Sequence, residues 1–222
     1  MTVDISFLRN ISYFKGLQEM ELDLMKKYFV EKIFNRGEII LMDGQQSRAL
    51  YFVASGAAKI FKTSMEGKEQ ILGIARPGDS FNEVPVFDGG LNTVSTQAMS
   101  SITLYELDKS AVDAIIRKYP QVAMNVINIL AARIRGLIVL VEDLSFRSVI
   151  GRVAKILLQT AQNKLPGPRL TQNEMAAMAG TAREVVGRSL KALEEDGVIR
   201  IDQHRIIVRN TEALKKVASA NI

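Results

Sequence analysis

Three side chains between residues 183 and 188 carry groups suited to reading nucleic acid: Arg183, Glu184 and Arg188. An arginine can set two N–H donors against O6 and N7 of guanine, and a glutamate can accept from the amino group of cytosine. On a helix, residues 184 and 188 lie one turn apart and share a face with Arg183 beside them, while Val185, Val186 and Leu190 point inward. A second reading of Glu184 stays open, because Thr181-x-x-Glu184 has capping-box spacing. The same spacing in Thr171-Gln172-Asn173-Glu174 predicts the start of a preceding helix that runs through Met175 and Met178 to Ala179. Gly180 permits a tight turn, and two short helices joined by a glycine make a helix-turn-helix. Residues 197–208 read as a two-stranded hairpin, a wing carrying His204 and Arg205, and a last short helix follows Asn210. Thr171, Gln172 and Arg205 are candidate phosphate contacts that position without specifying. Ordinary solvated surface is their competing reading.

Charge is distributed in keeping with a polyanionic partner for one half. The formal net charge is +5, yet residues 1–146 hold 16 basic against 17 acidic side chains and residues 147–222 hold 13 against 7, so −1 and +6. Only the second half is expected to meet a polyanion. The absence of cysteine excludes disulfides and thiolate metal sites, and a single histidine leaves little for zinc or histidine-based catalysis. Charges interrupt the apolar stretches well before about 18 residues, so no transmembrane helix is expected. The start, with Asp4 ahead of any apolar run, lacks a signal-peptide layout, and the expected location is the cytoplasm.

The elements that must carry these residues follow from period and punctuation. Residues 1–30 read as short amphipathic helices, with Leu22, Leu24, Met25 and Tyr28 at helical spacing. From about residue 33 to 108, β-rich runs at 38–42, 50–54, 58–63, 70–75 and 100–107 alternate with turn signals such as Asp43-Gly44, Ser55-Gly56 and Pro77-Gly78-Asp79. Such spacing predicts a jelly-roll or barrel. After Asp108 the period is helical to Leu144. Ala123, Ile127, Leu130, Ile134, Leu137, Val141 and Leu144 alternate at steps of four and three, the a/d seam of a two-stranded coiled coil. Packing on the chain's own barrel is the competing reading. Another helix starts at Phe146-Arg147 and ends near Gln162, with a loop at 163–168. The expected fold is α+β: a β jelly-roll with N-terminal helices over 1–108, a long dimerisation helix over 109–145, and a winged helix-turn-helix over 146–222, with the hinge at Ser145 and Phe146.

Two segments resemble the cyclic-AMP receptor protein and fumarate–nitrate regulator (CRP/FNR) family, and the likeness covers essentially the whole chain. One is the barrel pattern Arg36-Gly37-Glu38, Leu50-Tyr51-Phe52-Val53 with Gly56, then Pro77-Gly78-Asp79-Ser80-Phe81-Asn82-Glu83. The other runs from Ala179 to Arg188 and continues in Leu193-Glu194-Glu195-Asp196-Gly197-Val198-Ile199. The resemblance implies a cyclic-nucleotide-binding-like barrel, base reading by Arg183, Glu184 and Arg188, a TGTGA-type half-site, and contact with RNA polymerase. A twofold dimer would then recognise an inverted repeat.

In the effector pocket the resemblance breaks. Family members that bind cyclic nucleotides use a Gly-Glu pair for the ribose and an Arg-Ser/Thr pair for the phosphate. Here Glu83 and Thr93 remain, while Asn82 replaces the glycine and Asn92 the arginine. Leu137 and Ile138 stand where two hydroxyl side chains would meet adenine. A phosphate without its cation loses a charge-assisted bond, and a purine edge facing leucine and isoleucine is left unpaired. Cyclic AMP is therefore not expected. The open alternatives are an apolar or aromatic effector with Asn82, Glu83, Asn92 and Thr93 as a polar end, haem ligated by Met, Tyr or a backbone group, or no effector in a constitutive regulator. Asn92 and Thr93 read equally well as turn residues. Two other classes compete: a cupin-type enzyme, which needs barrel histidines this chain lacks, and a winged helix that binds protein.

Overall fold

The computed structural model describes residues 3–162, 170–202 and 205–220. The loop expected at 163–168 and His204 lie outside them. The chain forms two compact units, Met1–Lys62 with Gly73–Gly136, and Thr63–Leu72 with Leu137–Ile222.

The first unit opens with α1 (Ile5–Asn10), whose start is capped by the Asp4 carboxylate accepting from the Ser6 N–H at 2.9 Å, and α2 (Glu19–Met25). Eight strands follow: β1 (Phe29–Phe34), β2 (Ile39–Leu41), β3 (Ala49–Ser55), β4 (Ala58–Thr63), β5 (Glu69–Ala75), β6 (Ser80–Phe81), β7 (Ser95–Ala98) and β8 (Ile102–Asp108), with α3 (Glu83–Asp88) between β6 and β7. They form two antiparallel sheets, ordered β1-β8-β3-β6 and β2-β7-β4-β5. Strand β3 shows why the layers hold. Leu50 and Phe52 enter a core built with α1, α2 and the following helices, whereas Tyr51 and Val53 enter the core between the sheets. Period-two alternation with both faces buried makes this strand apolar throughout. Gly56 sits at φ 81° where the chain turns from β3 to β4, and a Cβ there would fall 2.3 Å from the carbonyl oxygen of Ser101, so only glycine fits.

The single helical stretch expected after Asp108 is two helices, α4 (Lys109–Lys118) and α5 (Pro120–Phe146). Pro120 accounts for the break: it disfavours helical backbone at Tyr119 and is itself well placed as the first residue of the next helix. Helix α5 also corrects the reading of its composition. At 27 residues and a mean hydropathy of 1.7 over its best window, it is long and apolar enough to cross a membrane by those criteria. Arg133 and Arg135 lie within that span, and Arg133 is ion-paired with Glu83 of the same unit, an arrangement foreign to a helix bathed in lipid.

The second unit contains α6 (Val149–Gln162), α7 (Gln172–Ala179), α8 (Arg183–Glu195), the hairpin β9 (Ile199–Asp202) and β10 (Arg205–Val208), and α9 (Thr211–Ser219). Val153, Leu157, Met175, Val186, Leu190, Leu193 and Leu214 form its core. Helix α6 begins at Val149, not at Phe146, because α5 runs on to Phe146.

Candidate nucleic-acid interface and effector site

In the C-terminal unit the expected capping box is formed. The Thr171 hydroxyl accepts from the Glu174 N–H at 3.2 Å, and the Glu174 carboxylate accepts from the Thr171 N–H at 2.6 Å. The hydroxyl also donates to that carboxylate at 3.0 Å, so its polar capacity is engaged inside the helix start. Gly180 ends α7 in the left-handed region at φ 63°. The next helix, α8, starts at Arg183 with Ala182 as its N-cap and no side-chain cap bond. The Thr181–Glu184 capping box is therefore not formed, because the helix begins one residue too late for it.

That late start leaves Glu184 for other work. Arg183, Glu184 and Arg188 are all exposed, and none of their side chains carries a hydrogen bond or ion pair among the described residues. Val186, Leu190 and Leu193 anchor the opposite face, with Val185 half-buried. Gln172 and Arg205 are exposed as well.

The barrel site has the reverse character. Glu83, at the start of α3, is 3% exposed and accepts from the Tyr13 hydroxyl at 2.9 Å and from the Arg133 guanidinium. Arg133 also donates to the Ser80 carbonyl and, at 3.1 Å, to the Ser80 hydroxyl. Burial, reinforced by the Glu83 charge, pushes the Tyr13 hydroxyl well above the ordinary phenol range, so it remains a donor. Nearby, burial raises the Asp79 carboxyl despite the bond it accepts from the Arg76 N–H at 2.9 Å. The turn carrying Tyr13 is held by Asn125 of α5, whose amide donates to the carbonyls of Tyr13 and Lys15, both at 2.9 Å.

The residues substituted at this site are structural braces. Asn82 adopts φ 77°, a left-handed conformation that asparagine tolerates better than most side chains. Its amide donates to the Ala49 carbonyl at 2.9 Å and to the Ser47 hydroxyl at 3.2 Å. Asn92 donates to the Met42 carbonyl at 3.0 Å, while its backbone exchanges bonds with Gln45 and Gly44 at 2.8 Å each. Both asparagines thus pin the segment between β2 and β3. The Asn92 side-chain oxygen is buried without a partner, as is the hydroxyl of Thr96. A ligand oxygen brought to the Asn92 side-chain oxygen would meet an acceptor where a cation would supply a donor. The Thr93 side chain is exposed, and its carbonyl accepts from Lys62, which is paired in turn with Asp43. Leu137 and Ile138 belong to the C-terminal unit, 48% and 61% exposed.

Sequence reasoning missed Arg133, Tyr13 and Asn125. An arginine or asparagine inside an otherwise apolar helix was the available signal, because such a residue needs a buried polar partner. Among the described residues no cluster of three or more His, Cys, Asp or Glu is placed to hold a metal.

Residues 31–119 match the model of the cyclic nucleotide-binding domain, and residues 151–217 that of the Crp-like helix-turn-helix domain. The "Cyclic AMP receptor protein" of Thermus thermophilus is 37% identical over 92% of this chain and 95% of its own length. The "CRP-like cAMP-activated global transcriptional regulator" of Mycobacterium tuberculosis is 30% identical over 95% and 98%. Among solved structures, the Thermus thermophilus catabolite activator protein aligns at TM-score 0.56 and 36% identity, covering 93% of this chain and 98% of that one. FixK2 from Bradyrhizobium japonicum shares the fold at TM-score 0.78 and 21% identity, covering 86% and 98%. The named relatives are regulators and not enzymes. With a jelly-roll domain ahead of a helix-turn-helix that bears exposed arginines, this chain belongs to the CRP/FNR family of transcriptional regulators.

Proposed function

We propose that the chain acts as a homodimer that reads an inverted repeat of TGTGA-like half-sites and controls transcription in the cytoplasm, in contact with RNA polymerase. The observation that carries this reading is the trio Arg183, Glu184 and Arg188, exposed and unpaired on the face of α8 opposite its core residues. Gln172 and Arg205 contribute phosphate contacts, and Thr171 contributes through the helix start it caps. The dimer seam is the stripe on α5, where Ile127, Ile134, Leu137, Val141 and Leu144 are 56%, 58%, 48%, 63% and 38% exposed and Leu130 is half-buried. A stripe of that width left in water calls for a second copy of the same helix.

The barrel responds to an effector other than cyclic AMP, although two relatives carry cyclic AMP in their names. Asn92 stands at the phosphate cation's position with an unpartnered acceptor, and Glu83 is already engaged by Arg133 and Tyr13. The same pairing favours a second reading, a constitutive regulator whose barrel needs no ligand. The deciding experiment is titration of a labelled inverted-repeat duplex with ligand-free protein at about 0.15 M salt, beside a scrambled duplex. Tight, selective binding supports the constitutive form. Selective binding that appears only after an effector is added supports the sensor, and its appearance with cyclic AMP would overturn the effector reading. Equal affinity for both duplexes under every condition would sink base reading by α8.

A further inference from the structure

The last turns of α5 close around a buried carboxylate that DNA reading, as derived so far, leaves without a role. Asp143 is 8% exposed and divides its two oxygens between two cations: Oδ1 accepts from Arg147 Nε, and Oδ2 accepts from Lys155 Nζ on α6. Arg147 reaches on to the carbonyl of Ala218, in the last turn of α9. Arg152 of α6 donates to the Ala179 carbonyl, the end of α7, at 2.7 Å and to the Arg147 carbonyl at 2.7 Å. Two of these cations thus cap carbonyls that a helix C-terminus leaves without intrahelical partners. Packing reinforces the same joint. Leu144, next to Asp143, lies so close to the turn between α7 and α8 that a Cβ on Gly180 would sit 2.7 Å from its Cδ2.

We infer that Asp143, with Arg147, Arg152 and Lys155, forms a positioning cluster for DNA recognition. It fixes the angle at which α7 and α8 leave the end of α5, and thereby the separation of half-sites that a dimer accepts. None of the four lies on the exposed face of α8, so the cluster acts on geometry and not on the identity of the bases read. A salt-bridged carboxylate is suited to this because its bonds are directional and several, where an apolar joint would permit sliding. The inference rests on the dimeric DNA-binding reading above.

The test uses the full-length protein and inverted-repeat duplexes whose central spacer changes one base pair at a time, each step turning one half-site by roughly 35° relative to the other. The unaltered protein is expected to prefer one spacing over its neighbours by about tenfold. Asp143→Asn removes the charge at constant shape, and Lys155→Met removes one cation from a side chain that is 25% exposed. Both are expected to reduce the preference to roughly threefold or less, while the salt dependence, which counts phosphate contacts, stays the same. Circular dichroism and melting confirm that each variant is folded, and Lys155→Met decides the matter if Asp143→Asn is not. A spacing optimum as sharp as that of the parent in the folded variants overturns the inference. So does a loss of salt slope and base preference together with spacing, which marks general disruption of the domain. If the parent protein fails to distinguish repeat from scrambled DNA, the DNA-binding reading itself falls and this inference falls with it.

Discussion

Glu83 and Glu184 are the same chemical group in opposite circumstances. Glu83 is buried, accepts from Tyr13 and Arg133, and belongs to a turn fixed by Asn82. Glu184 is exposed, and no partner holds it among the described residues. Around Glu83 the barrel satisfies its charged groups internally, whereas α8 leaves its own free of partners among the described residues. In the barrel, therefore, a polar substitution is read mainly as a change in stability. On α8 it is read as a change in binding with the fold intact.

The largest test of that division removes Arg133. Arg133→Met leaves the Glu83 carboxylate buried with only Tyr13 beside it, and chemical denaturation should show a loss of about 3 kcal/mol. An unchanged midpoint would mean that the pair is ornamental and the contrast false. Next comes Arg188→Ala, which should weaken binding to the cognate duplex by about 2 kcal/mol and relax one base position, with the melting temperature unchanged. A comparable fall in melting temperature would place Arg188 on the structural side instead. A finer test compares two substitutions at Asn82. Asn82→Ala keeps the left-handed strain and loses both bonds, whereas Asn82→Gly loses the bonds alone, so alanine should be the worse by about 1 kcal/mol. Equal costs would show that the backbone there is not strained.

The smallest effect concerns pH. Burial, aided by the Glu106 charge, pushes the Tyr51 hydroxyl up to about 12. Its folded pKa lies above the unfolded value near 10, so its contribution is full below pH 10 and is lost as pH climbs towards 12. Between pH 9 and 10.5, Tyr51→Phe should flatten the alkaline fall in stability by about 0.5 kcal/mol. The same substitution should leave DNA selectivity untouched.

The sequence exposed what is local and concealed what is distant. The capping box at Thr171, the turn at Gly180 and strand β4 (Ala58–Thr63) were legible because each depends on neighbours within a few positions. Strand β7 was not, since Ser95 and Thr96 are buried hydroxyls in a run without an apolar alternation. Strand β1 was hidden by the helical texture that precedes it, and the two-residue β6 is too short to carry a period. In the barrel site, Asn82, Glu83, Asn92 and Thr93 were found from the family pattern, but their roles were not. Tyr13 and Arg133 reach Glu83 across 70 and 50 residues, and no window of sequence spans such a distance. Asp143 gave no signal of its own, because its burial depends on Arg147 and on Lys155 of α6, twelve positions further on.

Arg133 has one more implication. A long apolar helix lying against a barrel has no intrinsic index mark, because leucine and isoleucine fit one another at many offsets. A single guanidinium shared between Glu83 and both oxygens of Ser80 supplies that mark. Screwing the helix forward by one residue would carry Arg133 about 1.5 Å along the axis and roughly 100° around it, away from every one of those acceptors. The helix is therefore keyed to its own unit at Arg133, as it is at Asn125 on the turn that carries Tyr13. Any displacement of the helix along the barrel either carries these contacts with it or breaks them, with no gradual slippage between.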